Sequence, residues 1–183
     1  MYDEERFHAR QGHGFAAERA NNLEDRLHGK KATIEGDNNV KNGPDRAIHQ
    51  PDGAKVLIQS KYCATGRTSI NGCFENGGSG EFRYFDSNGK PMVIEVASDT
   101  IEDARKAMAG KIENGQVKGV TDPEKAKEIV QPGHFTYQQA KNIAKAGNLD
   151  SIIYDAKSGA VISLSAFGVS ASITLAISIW NGE

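Results

Sequence analysis

The sequence predicts an α/β fold with an α-helical C-terminal extension. Three observations point there. Residues 43–62 and 81–96 each set two short apolar runs around tight-turn residues. Residues 15–28 and 100–114 repeat apolar side chains at helical spacing. From 117 onward the pattern is helical again, and residues 158–180 carry no charge. The expected organisation is an α/β core over 1–116, a helical extension and hairpin over 117–158, and an apolar helix over 159–183.

Residues 1–13 are polar, and His8 and His13 have no second ligand at metal spacing, so they read as surface residues. Gly12-His13-Gly14-Phe15-Ala16-Ala17 matches a loose dinucleotide fingerprint. That site needs a strand just before it, and residues 7–11 do not read as one. In the helix over 15–28, Ala16, Ala20, Leu23 and Leu27 form one stripe, and Gly29 suits the position after its end. A short strand follows at 31–35, then an Asp/Asn-rich loop over 36–42.

The next two runs organise the chain. Arg46-Ala47-Ile48-His49 and Lys55-Val56-Leu57-Ile58-Gln59-Ser60 flank Pro51-Asp52-Gly53, where Pro fixes φ and Gly accepts a positive one. If His49 pairs with Lys55, Asp45 falls opposite Gln59, with Cα atoms about 5 Å apart. Lys61 then follows on the same face. A slip of one residue would turn Gln59 and Lys61 to the other face. An acid, an amide and a lysine gathered this way suit metal-assisted hydrolysis. Asp45 and the Gln59 carbonyl are hard oxygen donors for Mg²⁺, and Lys61 stabilises developing negative charge.

Residues 63–80 are glycine-rich, with a short helix near 69–75. A second hairpin is expected between 81–85 and 92–96, around Asn88-Gly89. Asp99-x-x-Glu102 has the form of a capping box for the helix that follows, which buries Ile101, Ala104, Met108 and Ile112. Asp122-Pro123 opens a helix that Pro132-Gly133 ends, and Thr136-x-x-Gln139 caps another. Their lysines (Lys125, Lys127, Lys141, Lys145) read as a solvated face. A last hairpin is expected between 151–154 and 160–163. The uncharged run over 160–180 holds five serines, which makes it weak as a membrane helix and suited to burial against the core, an oligomer partner or a membrane.

A length of 183 residues fits one medium domain, alone or with an extension. The net charge of −2 gives no global attraction to nucleic acid, so a nucleic-acid partner would have to be held by a local groove and a metal. Cys63 and Cys73 form neither a CxxC nor a disulfide framework, which fits a reducing compartment. The residues after Met1 lack a secretory signal. A cytoplasmic location is expected, with membrane association through the apolar segment as its extension.

Gly43-Pro44-Asp45 followed by Gln59-Ser60-Lys61 resembles the PD-(D/E)xK nuclease motif. It is similar in particular to the Mrr-like restriction endonuclease branch, in which Gln often replaces the second acid. The resemblance covers roughly residues 10–114. It implies a restriction-endonuclease-like mixed β-sheet flanked by helices. It also implies a metal-dependent nuclease that hydrolyses phosphodiester bonds with Mg²⁺ or Mn²⁺, with DNA as substrate and a defence or toxin role. Asp45, Gln59, Lys61 and Glu18 would be the catalytic set, Glu18 being the glutamate such nucleases carry on the preceding helix. The metal ligands would be Asp45, Gln59, Glu18 and the Ser60 carbonyl. Glu18 lies about 160° from the centre of the apolar stripe, at about 100° per residue, so this role requires the helix to bury a second edge. The neutral Gln59 weakens any metal site. The alternative is a non-catalytic module with a decayed nuclease site that binds nucleic acid or docks a partner or membrane.

Overall fold

A computed structural model of the chain describes residues 12–35, 41–145, 153–155 and 161–163. The described residues divide into two compact units. One holds those up to Ala20 and those from Gln138 onward, and the other is Asn21–Tyr137.

The second unit is built on a five-stranded sheet in the order β1-β2-β3-β4-β5, comprising Lys31–Ile34, Arg46–His49, Lys55–Ser60, Val93–Val96 and Val130–Pro132. The first three strands form an antiparallel meander, while β4 and β5 add in parallel. The sheet is therefore mixed, and helices flank it, as the α/β expectation requires. His49 pairs with Lys55 and Arg46 with Ile58, which is the register the alternation and the Pro-Asp-Gly turn predict. Gly53 takes φ +86° in that turn.

The chain enters through α1 (Gly12–Leu27), and Gly29 leaves it with φ +77°. After β3 comes α2 (Gly66–Asn71), capped by Thr65, whose hydroxyl accepts the Thr68 N–H at 3.1 Å. After β4 comes α3 (Ile101–Glu113), then the single turn α4 (Ala126–Ile129) and β5. The apolar core joins Ile70 of α2, Met108 and Ile112 of α3, Ile94 and Val96 of β4, and Val130 of β5. Here α2 and α3 approach closely. A Cβ on Gly66 would stand 2.5 Å from the Thr100 carbonyl and 2.8 Å from Ala104 Cα, both backbone atoms that cannot swing aside. Gly66→Ala is expected to cost about 1–3 kcal/mol through overpacking. The urea midpoint measures this, and an unchanged midpoint would contradict the helix contact.

Several expectations are corrected. The hairpin between 81–85 and 92–96 forms only next to its turn, where Phe85 bridges Pro91 antiparallel and the Met92 N–H donates to the Tyr84 carbonyl at 3.0 Å. The turn at Asp86–Gly89 forms, with the Asp86 carboxylate accepting the Asn88 and Lys90 N–H groups at 2.8 Å, but β4 pairs with β3 and β5 instead. Farther from the turn the backbone of 81–85 bonds elsewhere, with Phe82 N–H on the Gln116 carbonyl and Arg83 N–H on that of Cys73. A buried aromatic group of Phe74, Phe82 and Tyr84 holds it there. Asp99 makes no capping box, because its carboxylate accepts the Tyr137 N–H at 3.0 Å and so serves the start of α5 (Tyr137–Lys145). The helix expected after Pro123 is a short turn that gives way to β5, so the sheet does not stop at residue 116.

In the first unit, β6 (Ile153–Asp155) and β7 (Val161–Ser163) pair antiparallel, as the last predicted hairpin requires. Residues 161–163 are thus strand, where the apolar helix over 159–183 was expected to begin. The remainder of that segment lies outside the described residues, as do His8 and residues 36–40 of the predicted loop.

Candidate functional site

In a sheet, side chains alternate between faces and cross-strand partners share one. Strand β3 therefore serves two sites back to back. Ile58, Ser60 and Tyr62 share one face with Arg46 and with Glu95, the partner of Ser60. Leu57, Gln59 and Lys61 share the other with Ile94 and the apolar core.

The core face carries the predicted triad. One step beyond the Arg46–Ile58 pair, Asp45 reaches Gln59. Its Oδ2 accepts the Gln59 amide N–H and, at 2.8 Å, the Ser60 backbone N–H. The Asp45 N–H donates to the Ile58 carbonyl at 2.9 Å, which anchors the acid at the strand end. Lys61 donates its own N–H to the Glu95 carbonyl at 2.8 Å and holds its ammonium 5.1 Å from the centre of the Tyr84 ring. Burial raises the Asp45 carboxyl above the ordinary value, against the opposing pull of the Lys61 charge and of the hydrogen bonds from Ser60 and Gln59. Asp45, Gln59, Ser60 and Lys61 are thus brought together. Glu18 is buried on α1 and belongs to the first compact unit.

Among the described residues no group of three or more His, Cys, Asp or Glu is placed to hold a metal ion. The oxygen donors at Asp45 nevertheless suit a hard cation of the Mg²⁺ kind, which is commonly held by one or two carboxylates and keeps its waters. Both hydrogen bonds to Asp45 fall on Oδ2, leaving Oδ1 to face a cation. The Gln59 amide presents its nitrogen to Asp45, and a half-turn about the terminal bond brings its oxygen there instead.

The opposite face holds a buried charge network absent from the sequence-based reading. Arg46, 2% exposed, bonds Asp25 at 2.5 Å with one terminal nitrogen and Glu95 with the other. Asp25 also accepts from Lys30 at 2.7 Å and lies 3.0 Å from His134 Nε2. Glu95 Oε1 accepts from Asn21 at 3.0 Å and from the Ser60 hydroxyl at 3.1 Å. Asn21 further donates to the Tyr62 hydroxyl at 2.8 Å and accepts the His134 N–H at 2.7 Å. Burial works to raise the Asp25 carboxyl, yet the His134, Lys30 and Arg46 hydrogen bonds with the Arg46 charge hold it well below the carboxylate range. Gly133 packs against this group; a Cβ there would stand 2.9 Å from the Asn21 amide nitrogen.

This network explains how α1 sits. Asn21, Asn22 and Asp25 are buried, as are Ala16 and Ala20 of the apolar stripe, whereas Leu27 at the stripe's end is 40% exposed. The helix buries this second, polar edge because it finds charged partners on the sheet. Glu18 shares this edge, three residues before Asn21 and seven before Asp25. A charge inside an apolar strand, as in Val93-Ile94-Glu95-Val96, was the available signal for the network.

Residues 1–113 match the family described as YeeR C-terminal domain. The inner membrane protein YeeR of Escherichia coli (strain K12) is 44% identical over 108 residues, covering 59% of this chain and 20% of that protein. The match thus spans a fifth of that relative's length. No solved structure matches the chain.

Proposed function

The chain belongs to the YeeR C-terminal domain family, and from that premise we propose that it is a metal-assisted phosphodiesterase of the PD-(D/E)xK kind, with DNA as its substrate. The observation that carries the reading is the meeting of Asp45 with Gln59 and Ser60 at one strand end, with Lys61 on the same face. Asp45 Oδ1, the Gln59 carbonyl oxygen and the Ser60 carbonyl would hold Mg²⁺ or Mn²⁺. When bound, the cation supplies Lewis-acid stabilisation of a phosphoryl oxygen. Lys61 places a positive charge where the attacking and leaving oxygens become negative, and Tyr84 holds that ammonium in position. The raised Asp45 carboxyl takes up a proton more readily than an exposed acid does, so activity is expected to fall early on acidification.

The relative is named an inner membrane protein. No helix among the described residues is long and apolar enough to cross a membrane. The reading places this domain beside the membrane, held there by other parts of a longer protein or by the segment over 160–180. A role in defence or as a toxin belongs to the same proposal.

Plasmid cleavage in Mg²⁺ tests the activity. Asp45→Ala and Lys61→Ala are each expected to lower the rate by about 10²–10³, with EDTA abolishing it. If both variants cut as fast as the parent, the site is wrong. A second reading, a non-catalytic binding module, draws on the single carboxylate at Asp45. It expects no Mn²⁺ heat in calorimetry at millimolar metal and no cleavage at all.

A further inference from the structure

We propose that Arg83 is a phosphate-binding residue of the Asp45–Lys61 site, pairing with Lys61 to grip the phosphodiester backbone of the nucleic acid. This rests on the phosphodiesterase reading above.

Two cations converge on one ring. Lys61 Nζ lies 5.1 Å and Arg83 Cζ 5.3 Å from the centre of Tyr84, which is itself 5% exposed. A quadrupole attracts each cation singly, but two like charges held against the same ring repel each other. Neither ammonium nor guanidinium has a carboxylate in hydrogen-bond contact among the described residues. Lys61 meets the Tyr84 ring and acts on Asp45 through its charge alone, and Arg83 bonds the Gly72 carbonyl at 2.5 Å and the Tyr84 hydroxyl at 3.4 Å. The Arg83 Nε–H is buried without an acceptor. An under-satisfied guanidinium beside a second cation is the arrangement that an anion with several oxygens completes.

The neighbourhood supports the same location. The charges of Lys61, Arg83 and Asp45 all act on the Cys73 thiol. Burial outweighs both cations there and pushes the Cys73 thiol up to about 12, leaving the sulfur an inert packing group. Asp45 would bring a cation to the scissile phosphate, Lys61 would meet the charge that develops, and Arg83 would hold a non-bridging oxygen of the same or the adjoining phosphate. Arg83 lies between Phe82 and Tyr84, whose rings pack against each other, and Phe82 also packs against Phe74. Its backbone is fixed by the bond to Cys73, so the guanidinium is presented from a rigid support.

The test is fluorescence anisotropy with a labelled DNA duplex in EDTA, titrated at several salt concentrations, beside Mg²⁺-dependent plasmid cleavage. An RNA duplex and inorganic phosphate serve as further probes. Arg83→Gln is expected to weaken duplex binding roughly tenfold and to reduce the slope of log K against log salt by about 0.9, the contribution of one phosphate contact. Arg83→Lys, which keeps the charge, should retain the slope and lose only part of the affinity. The same loss with RNA as with DNA supports a backbone contact. Thermal melts check that both variants fold, and if Arg83→Gln does not, the Arg83→Lys affinity is the deciding measurement. A parent protein that binds and cuts, with Arg83 variants unchanged in affinity and slope, overturns this inference alone. A parent that neither binds nor cuts overturns the phosphodiesterase reading and this inference with it.

Discussion

Arg46→Met is expected to destabilise the domain by about 3–5 kcal/mol, a large part of the stability of a domain this size. Arg46 bonds two carboxylates that are themselves almost fully buried, Asp25 and Glu95. Methionine fills most of the space, so the loss is electrostatic rather than steric. Asp25 keeps Lys30 and His134, whereas Glu95 keeps only the neutral Asn21 and Ser60 donors among its side-chain partners. Glu95 is therefore the group left charged and uncompensated. Urea denaturation measures the change. Adding Asp25→Asn and Glu95→Gln to Arg46→Met should return much of the stability, because an uncharged network no longer needs the guanidinium. If Arg46→Met alone unfolds at the parent's midpoint, the network does not hold α1 to the sheet.

Gln59→Glu is expected to produce the second largest change, and one that depends on metal. The Gln59 amide donates to Asp45 and is 5% exposed. A carboxylate in its place removes the donor and sets a second negative charge against an acid that burial already raises. Two acids so placed cannot both ionise, and one of them keeps a proton at neutral pH. Without metal the cost is about 2–4 kcal/mol. A divalent cation reverses the sign, because it needs both charges. Mg²⁺ at about 100 times its dissociation constant would restore about 2.7 kcal/mol. Thermal melts in EDTA and in Mg²⁺ give the comparison. A variant that melts low in EDTA and recovers in Mg²⁺ marks a metal position between residues 45 and 59. A variant indifferent to Mg²⁺ removes the metal from this site.

Local signals placed the central hairpin correctly. Pro51-Asp52-Gly53 set the turn, alternation set the faces, and together they fixed the pairing of His49 with Lys55. The meeting of Asp45 and Gln59 follows from that register alone. The second hairpin shows the limit. Asn88-Gly89 made the turn it predicts, yet the strand after it joined β3 and β5 in parallel. Parallel partners are joined by long crossovers and leave no short-range mark. The three residues of β5 are too few to show a period, so they read as the tail of a helix.

Helix α1 teaches the complementary point. Its apolar stripe was plain, Ala16 and Ala20 of it are buried and Gly29 ended it as expected, but a polar edge is turned inward as well. Hydrophobic pattern does not reveal a buried polar edge, which depends on matched partners, and Arg46 and Glu95 are such partners for Asn21 and Asp25. The bonded partners lie 21 and 74 positions apart along the chain.

The sequence by itself determined the α/β class, the turn chemistry and the register that sets Asp45 against Gln59, because each depends on neighbours within about fifteen residues. Only the tertiary structure decided that a polar edge of α1 is buried, which strands β4 pairs with and which cations gather at Tyr84. Those outcomes depend on charges and rings that are distant in the chain, and their energies exist only once the sheet has closed around them.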